Sequence, residues 1–333
     1  MEAPGGTLPP MKRVAAAGLL AVAVWVGTSQ AVGAATHPAV RPARFAVGTT
    51  ILRFDNQGRS VVATVFYPAT GRATPLEVED APRNTRWGPY PLIVFSHDYG
   101  ASPNDYKALI HSWAERGYVV AVPTYRVPAD LTPSTTGATS TTVATSTTDA
   151  SAAQTATVDI GERVADASFV IDRMLDRVQG GFGTIVDPHR IVAAGHAIGA
   201  VTTFALAYNT DARDPRIDAA MTLAGGLVGD GSSYFTGVDT PLLAIHGDAD
   251  ATDPIAGTQE AFDLANPPKF YVTLLGSDHS TSFVQSTDPG FGVVEKTTLD
   301  FLSAYIGRRP SGLQQLERDG TVKSLSKLTS QPD

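Results

Sequence analysis

From about Phe45 onward the apolar positions come in short bursts, and the spacing inside each burst predicts an element. Thr50-Ile51-Leu52-Arg53-Phe54 and residues 61–67 are β-branched and aromatic runs on either side of Asn56-Gln57-Gly58, the signature of a hairpin. Residues 91–96 and 118–123 are short and almost wholly apolar, as strands covered on both faces of a parallel sheet are. Between them, 102–116 reads as a helix with Ser102 as N-cap, Pro103 in the first turn and Gly117 as its stop. Strand, helix and strand at this spacing predict a right-handed βαβ unit.

The alternation continues. Helical spacing returns over 159–178, where Val164, Ala167, Val170, Met174 and Val178 share a face, and Gly180-Gly181 stops it. A strand is expected at Ile191-Val192-Ala193-Ala194, a helix over 200–208, strands over 217–223 and 241–246, a helix over 259–265, a strand over 269–275 and an amphipathic helix over 293–306. The pattern predicts one α/β domain over 45–307, built as a doubly wound, mostly parallel sheet with helices on both faces. The polar stretch 312–333 is expected to be a loose tail.

Two stretches break the rhythm. Residues 132–157 are nearly all Thr, Ser and Ala and carry no apolar period, which predicts a flexible surface insertion open to O-glycosylation, with a lid over the site as the alternative. At the N-terminus, Met11-Lys12-Arg13 precedes an Ala/Val/Leu-rich run of about 14 residues and then Ala31-Val32-Gly33-Ala34. That is the layout of a secretory signal peptide over 1–34, with Met11 as an alternative start. The run is shorter than the roughly 20 residues a membrane span needs, so export and cleavage are expected, and a retained leader would act as an anchor.

Composition narrows the chemistry. The formal charge of -8 over 333 residues argues against a nucleic-acid partner, which calls for a basic surface. With no cysteine there is no disulfide partner, thiolate nucleophile or thiolate metal site. Asp248, Asp250 and Asp253 fit no recognised calcium loop, and neither a metal nor a cofactor is expected.

What remains is Gly195-His196-Ala197-Ile198-Gly199, between a buried strand and a small-residue helix. A nucleophile elbow has this frame, with a serine at the middle position on a strained strand-to-helix turn. Here the middle residue is Ala197. A carboxylate and then a histidine should follow, each on a loop after its own strand. Asp250, with Asp248 as the other candidate, and His279 stand in that order. His97, His196 and His246 are read as structural, and Trp87 and Trp113 either line an acyl pocket or pack elsewhere.

On "VFYPA" (65–69), "IVFSHDYGASPNDY" (93–106), "GHAIGA" (195–200), "IHGDADATDP" (245–254) and "GSDHS" (276–280), the chain resembles the α/β-hydrolase superfamily. It is similar to secreted bacterial dienelactone-hydrolase-like esterases, polyester hydrolases and the platelet-activating-factor acetylhydrolase or chlorophyllase-like group. The resemblance implies serine ester hydrolysis of a small or polymeric ester. It puts the nucleophile position at Ala197, the acid at Asp250 and the base at His279, with backbone N–H groups of Tyr99 and Ile198 as the oxyanion hole. Two departures follow. Without Oγ at 197 no acyl-enzyme forms by this route. Asp98 stands where the family places glycine, and its carboxylate either faces the oxyanion hole, opposing the charge developing there, or faces solvent. The expectation is a serine-esterase scaffold inactive as written, with a ligand-binding relative lacking catalysis as the alternative.

Overall fold

The structure is a computed structural model that describes residue 1 and residues 43–125, 159–178, 181–229 and 231–333. The expected leader (1–34) and nearly all of the Thr/Ser-rich insertion (132–157) lie outside the described residues. All that follows concerns the unit Arg41–Asp333.

The hairpin forms as expected. β1 (Ala46–Asn56) and β2 (Arg59–Ala69) pair antiparallel from Ala46↔Ala69 to Asn56↔Arg59. Gln57 and Gly58 both take positive φ, 54° and 84°, the pair of values a two-residue hairpin turn requires. After the short β3 (Val78–Glu79) come β4 (Tyr90–Ser96), α1 (Lys107–Glu115) and β5 (Val119–Thr124). Every residue of β4 is buried, with Leu92 and Val94 entering the core on one face and Ile93 and Phe95 the core on the other. A strand covered on both sides has no polar side to alternate with, which explains the continuous apolar run.

α2 (Ile160–Leu175), β6 (Val186–His196), α3 (Ile198–Tyr208), β7 (Ile217–Leu223) and β8 (Leu242–Gly247) follow. Then come α4 (Ala256–Leu264), β9 (Lys269–Leu274), α5 (Thr281–Val284) and α6 (Pro289–Tyr305). The ten strands form one sheet in the order β10-β9-β8-β7-β6-β4-β5-β2-β1-β3, where β10 is Ser326–Gln331. β5, β4, β6, β7, β8 and β9 run parallel. This is the expected α/β-hydrolase architecture, a single mostly parallel sheet with helices on both faces.

Three boundaries differ from the sequence reading. α1 starts at Lys107, because the Ser102 hydroxyl donates to Asp105 Oδ2 (2.8 Å) in a turn and caps nothing. α6 starts at Pro289, earlier than the apolar period suggests, because Asp288 accepts from the Gly290 N–H at 2.8 Å. The stretch after Gly312 is no loose tail: α7 (Ser311–Gly320) buries Leu316, and β10 pairs antiparallel with β9 at the sheet edge. An edge strand is held largely by its backbone, so a run as polar as Ser-Lys-Leu-Thr-Ser-Gln serves.

The chain runs from β4 to β5 on one side and then crosses to β6 on the other side of β4. Strand order reverses between β4 and β6, and in open α/β sheets that reversal opens a crevice at the carboxyl ends of the strands. The loop after β4 carries Asp98, and the turn after β6 is Ala197.

Candidate active site

The turn between β6 and α3 has the tight geometry its glycines suggest. Ala197 sits at φ 54°, ψ -120°, a conformation that costs an L-residue about 1–3 kcal/mol and persists only where its surroundings enforce it. The enforcement is visible: the Ala197 N–H donates to Leu223 O (2.9 Å) on β7, and its carbonyl accepts from Ala200 and Val201. A Cβ on Gly195 would fall 2.8 Å from the Ser96 carbonyl oxygen, and one on Gly199 would fall 2.5 Å from the Ser96 carbonyl carbon. Both glycines are therefore needed for β4, β6 and α3 to approach this closely.

His279, after β9, meets Asp250, after β8. Its Nδ1 donates to Asp250 Oδ2 at 2.7 Å, which fixes the tautomer and leaves Nε2 as the basic nitrogen. Asp250 Oδ1 accepts from the N–H groups of Thr252 (2.8 Å) and Asp253 (2.9 Å). Burial pushes this carboxyl up, but the Asp253 N–H and His279 more than offset it, so its pKa lies below the usual value and the group is ionised. Asp248, the other acid candidate, accepts instead from the Gly276 N–H (2.6 Å), tying two loops together.

Sequence reasoning missed a second imidazole on Asp250. His246, fully buried at the end of β8, donates from Nε2 to Asp250 Oδ2 (3.0 Å) and to Asp253 O (2.9 Å). Its Nδ1 lies 2.6 Å from Thr258 Oγ1, whose own proton goes to Gly225 O. His246 thus braces the acid loop from below. The available signal was His-Gly-Asp-Ala-Asp itself, which puts an imidazole four residues before the acid.

His196 bridges the elbow to the histidine loop. Its Nε2 donates to His279 O (2.8 Å) and its Nδ1 accepts from Tyr106 (2.8 Å), while its ring packs 5.0 Å from those of His279 and Phe283. Burial pulls its pKa down to about 3, so it is a neutral strut, as the sequence reading held. Trp113 does not line a pocket; it is fully buried under α1 and donates to Thr298 Oγ1 (3.0 Å).

Asp98 resolves the question its sequence left open. Its carboxylate turns inward, where Oδ1 accepts from the Tyr99 N–H at 2.6 Å and the Ile198 N–H also donates to the carboxylate. These are the two backbone donors expected to form the oxyanion hole. Burial raises the Asp98 pKa, while the two N–H groups, His279 and Arg163 work against that rise. The loop is held from beneath by Arg163 of α2, a second residue the sequence reading missed. Its Nη2 donates to His97 O (2.5 Å), its Nε to Thr202 Oγ1 (3.1 Å), and its guanidinium lies 3.9 Å from the Tyr125 ring centre. The signal was an arginine on the apolar face of α2, one position before Val164.

The elbow, the His279–Asp250 pair and the two donors therefore converge at the strand reversal, with a methyl group where a hydroxyl would stand and a carboxylate where an oxyanion would form. Among the described residues no group of His, Asp and Glu is arranged to hold a metal ion.

Residues 72–179 match the family model for platelet-activating factor acetylhydrolase, isoform II, a family of the α/β-hydrolase superfamily. The matched stretch, roughly a third of the chain, contains the Asp98 loop, α1, β5 and α2, and it stops before the elbow and the His279–Asp250 pair. No curated protein sequence matches the chain significantly.

Proposed function

We propose that this chain carries the site of a serine carboxylic-ester hydrolase in which Ala197 stands in the place of the nucleophile, so that it does not turn esters over through an acyl-enzyme. The observation that carries the reading is the backbone of Ala197. A strained φ of 54° between buried strand and helix has no packing purpose for a one-carbon side chain, yet it is the conformation that presents a hydroxyl at the carboxyl edge of a sheet. The ionised Asp250 and the Nε2-basic tautomer of His279 support the same reading, and so does the esterase family matched over residues 72–179. On this reading Tyr99 and Ile198 supply the oxyanion hole, and the chain is exported by its leader.

The test is hydrolysis of p-nitrophenyl acetate by the parent, Ala197→Ser, Asp98→Gly and the double variant. The parent and Asp98→Gly remain at background because neither has a nucleophile. Ala197→Ser gains little, since the Asp98 carboxylate fills the hole. The double variant gains by at least the factor of about 10²–10³ that one oxyanion donor is worth. If all four stay at background while folded, the reading is wrong.

A further inference from the structure

Each of the two departures disables acyl transfer when taken alone. Together they describe a different reaction. With Asp98 Oδ1 held on the Tyr99 N–H, and Ile198 N–H donating to the same carboxylate, the hole cannot accept a substrate carbonyl oxygen. A carboxylate so held still has lone pairs on its second oxygen, and it has lost most of its water. The change of serine to Ala197 clears the adjoining space of a competing hydroxyl. His279, oriented by Asp250 with a basic Nε2, is close enough to act electrostatically on Asp98.

We propose that Asp98 is a carboxylate nucleophile relocated from the elbow to the neighbouring loop, attacking a saturated carbon that bears an anionic leaving group, with primary alkyl halides as the substrate class. This rests on the preceding reading of the hole and the His279–Asp250 pair.

In the first step a lone pair of the Asp98 carboxylate forms an O–C bond and the C–X bond breaks. The halide departs with its electron pair, and no proton moves. The product is an alkyl ester of Asp98 whose acyl oxygen already lies on the Tyr99 and Ile198 N–H groups. In the second step a water oxygen bonds to Cγ of Asp98 while His279 Nε2 takes the water proton. The charge develops on the oxygen held by the two N–H groups, where fixed donors stabilise it. Collapse breaks the bond from Cγ to the alkyl oxygen, and the alcohol leaves with the proton from His279. The regenerated carboxyl loses a proton to solvent. The sum is alkyl halide plus water giving alcohol, halide and a proton.

The geometry also limits the leaving group. The hydroxyl of Tyr106, the phenol nearest Asp98, donates to His196 Nδ1, and that of Tyr125 bonds Ser96. With neither committed to protonating a departing alkoxide, the substrate must release a stable anion.

The experiment uses the full chain with n-butyl bromide and with ethylene dibromide, reading bromide release and the mass of the protein. The parent is expected to release bromide over many turnovers, about tenfold or more above Asp98→Asn. His279→Phe, and His279→Gln as a second variant, should stop after one bromide per chain and carry the alkyl group on Asp98. In heavy-oxygen water the parent should acquire label in the Asp98 carboxyl, because the water attacks Cγ. The proposal is overturned if folded parent and both His279 variants release no more bromide than Asp98→Asn and Asp98 stays unalkylated. In that outcome Asp98 is a plug only. If the Ala197→Ser/Asp98→Gly protein still hydrolyses p-nitrophenyl acetate, the relocation alone has failed; if it does not, the reading of the site has failed with it.

Discussion

Gly199→Ala and Gly292→Ala make the same chemical change in two helices and should move stability in opposite directions. At Gly199 the added methyl would sit 2.5 Å from the Ser96 carbonyl carbon and 3.0 Å from His97 O, and closer still to Ser96 O. Ordinary contact begins at 3.4 Å, so α3 and the end of β4 would have to part by about an ångström. The obstacles are backbone atoms of a strand paired on both sides, which cannot rotate away. Overpacking of this kind costs about 3 kcal/mol, or roughly 6–12 °C in a domain of this size. At Gly292, inside α6, nothing lies within 4 Å of the new methyl. There the gain is the helix preference of alanine over glycine, about 1 kcal/mol, or roughly 2–4 °C. Thermal unfolding by circular dichroism reads both. A Gly199→Ala protein that melts with the parent would refute the claim that the elbow is built on backbone contact, and a Gly292→Ala protein that loses stability would refute the helix-propensity arithmetic.

Three further outcomes are expected. His196→Ala strands the Tyr106 hydroxyl and the His279 carbonyl and opens a cavity, costing about 3 kcal/mol in denaturant unfolding; a loss under about 1 kcal/mol would show that the strut is dispensable. Asp300, buried beside Asp319, has its pKa raised from 3.8 to about 7, chiefly by burial, so the folded state holds its proton more tightly than the unfolded state. The stability it contributes is complete below its unfolded value and is lost as pH rises through about 7, so Asp300→Asn should melt higher than the parent at about pH 9 and close to it at about pH 4, and a gap independent of pH would contradict this. Asp250→Asn removes the charge that His279 and His246 share, and in the Ala197→Ser/Asp98→Gly background it should lower kcat by about 10⁴, read with p-nitrophenyl acetate.

The sequence carried the elements whose signal is local. The runs that became β4 and β6 were legible because strands covered on both faces admit no polar residues, and the elbow because its glycines answer a backbone need. Asp250 and His279 could be assigned because each closes a loop just after a buried strand. What stayed hidden depends on how distant segments meet. The direction of the Asp98 side chain is set by two N–H groups, one next to it in the chain and one a hundred residues on at the start of α3. Arg163 reads as an anomaly on an apolar helix face until the β4 loop is laid over it. β10 was missed because an edge strand needs pairing atoms more than apolar side chains, and Ser-Lys-Leu-Thr-Ser-Gln supplies little else.

The central claim, that residue 197 occupies the place of an activated nucleophile, is tested most directly by covalent labelling. A fluorophosphonate reacts with a serine only where a base and an oxyanion hole act on it. Intact-mass analysis of the Ala197→Ser/Asp98→Gly protein should show one phosphonyl group per chain, mapped to residue 197, absent from Asp98→Gly and suppressed by adding His279→Ala. A folded double variant that stays unlabelled, or labels equally well without His279, would contradict the account.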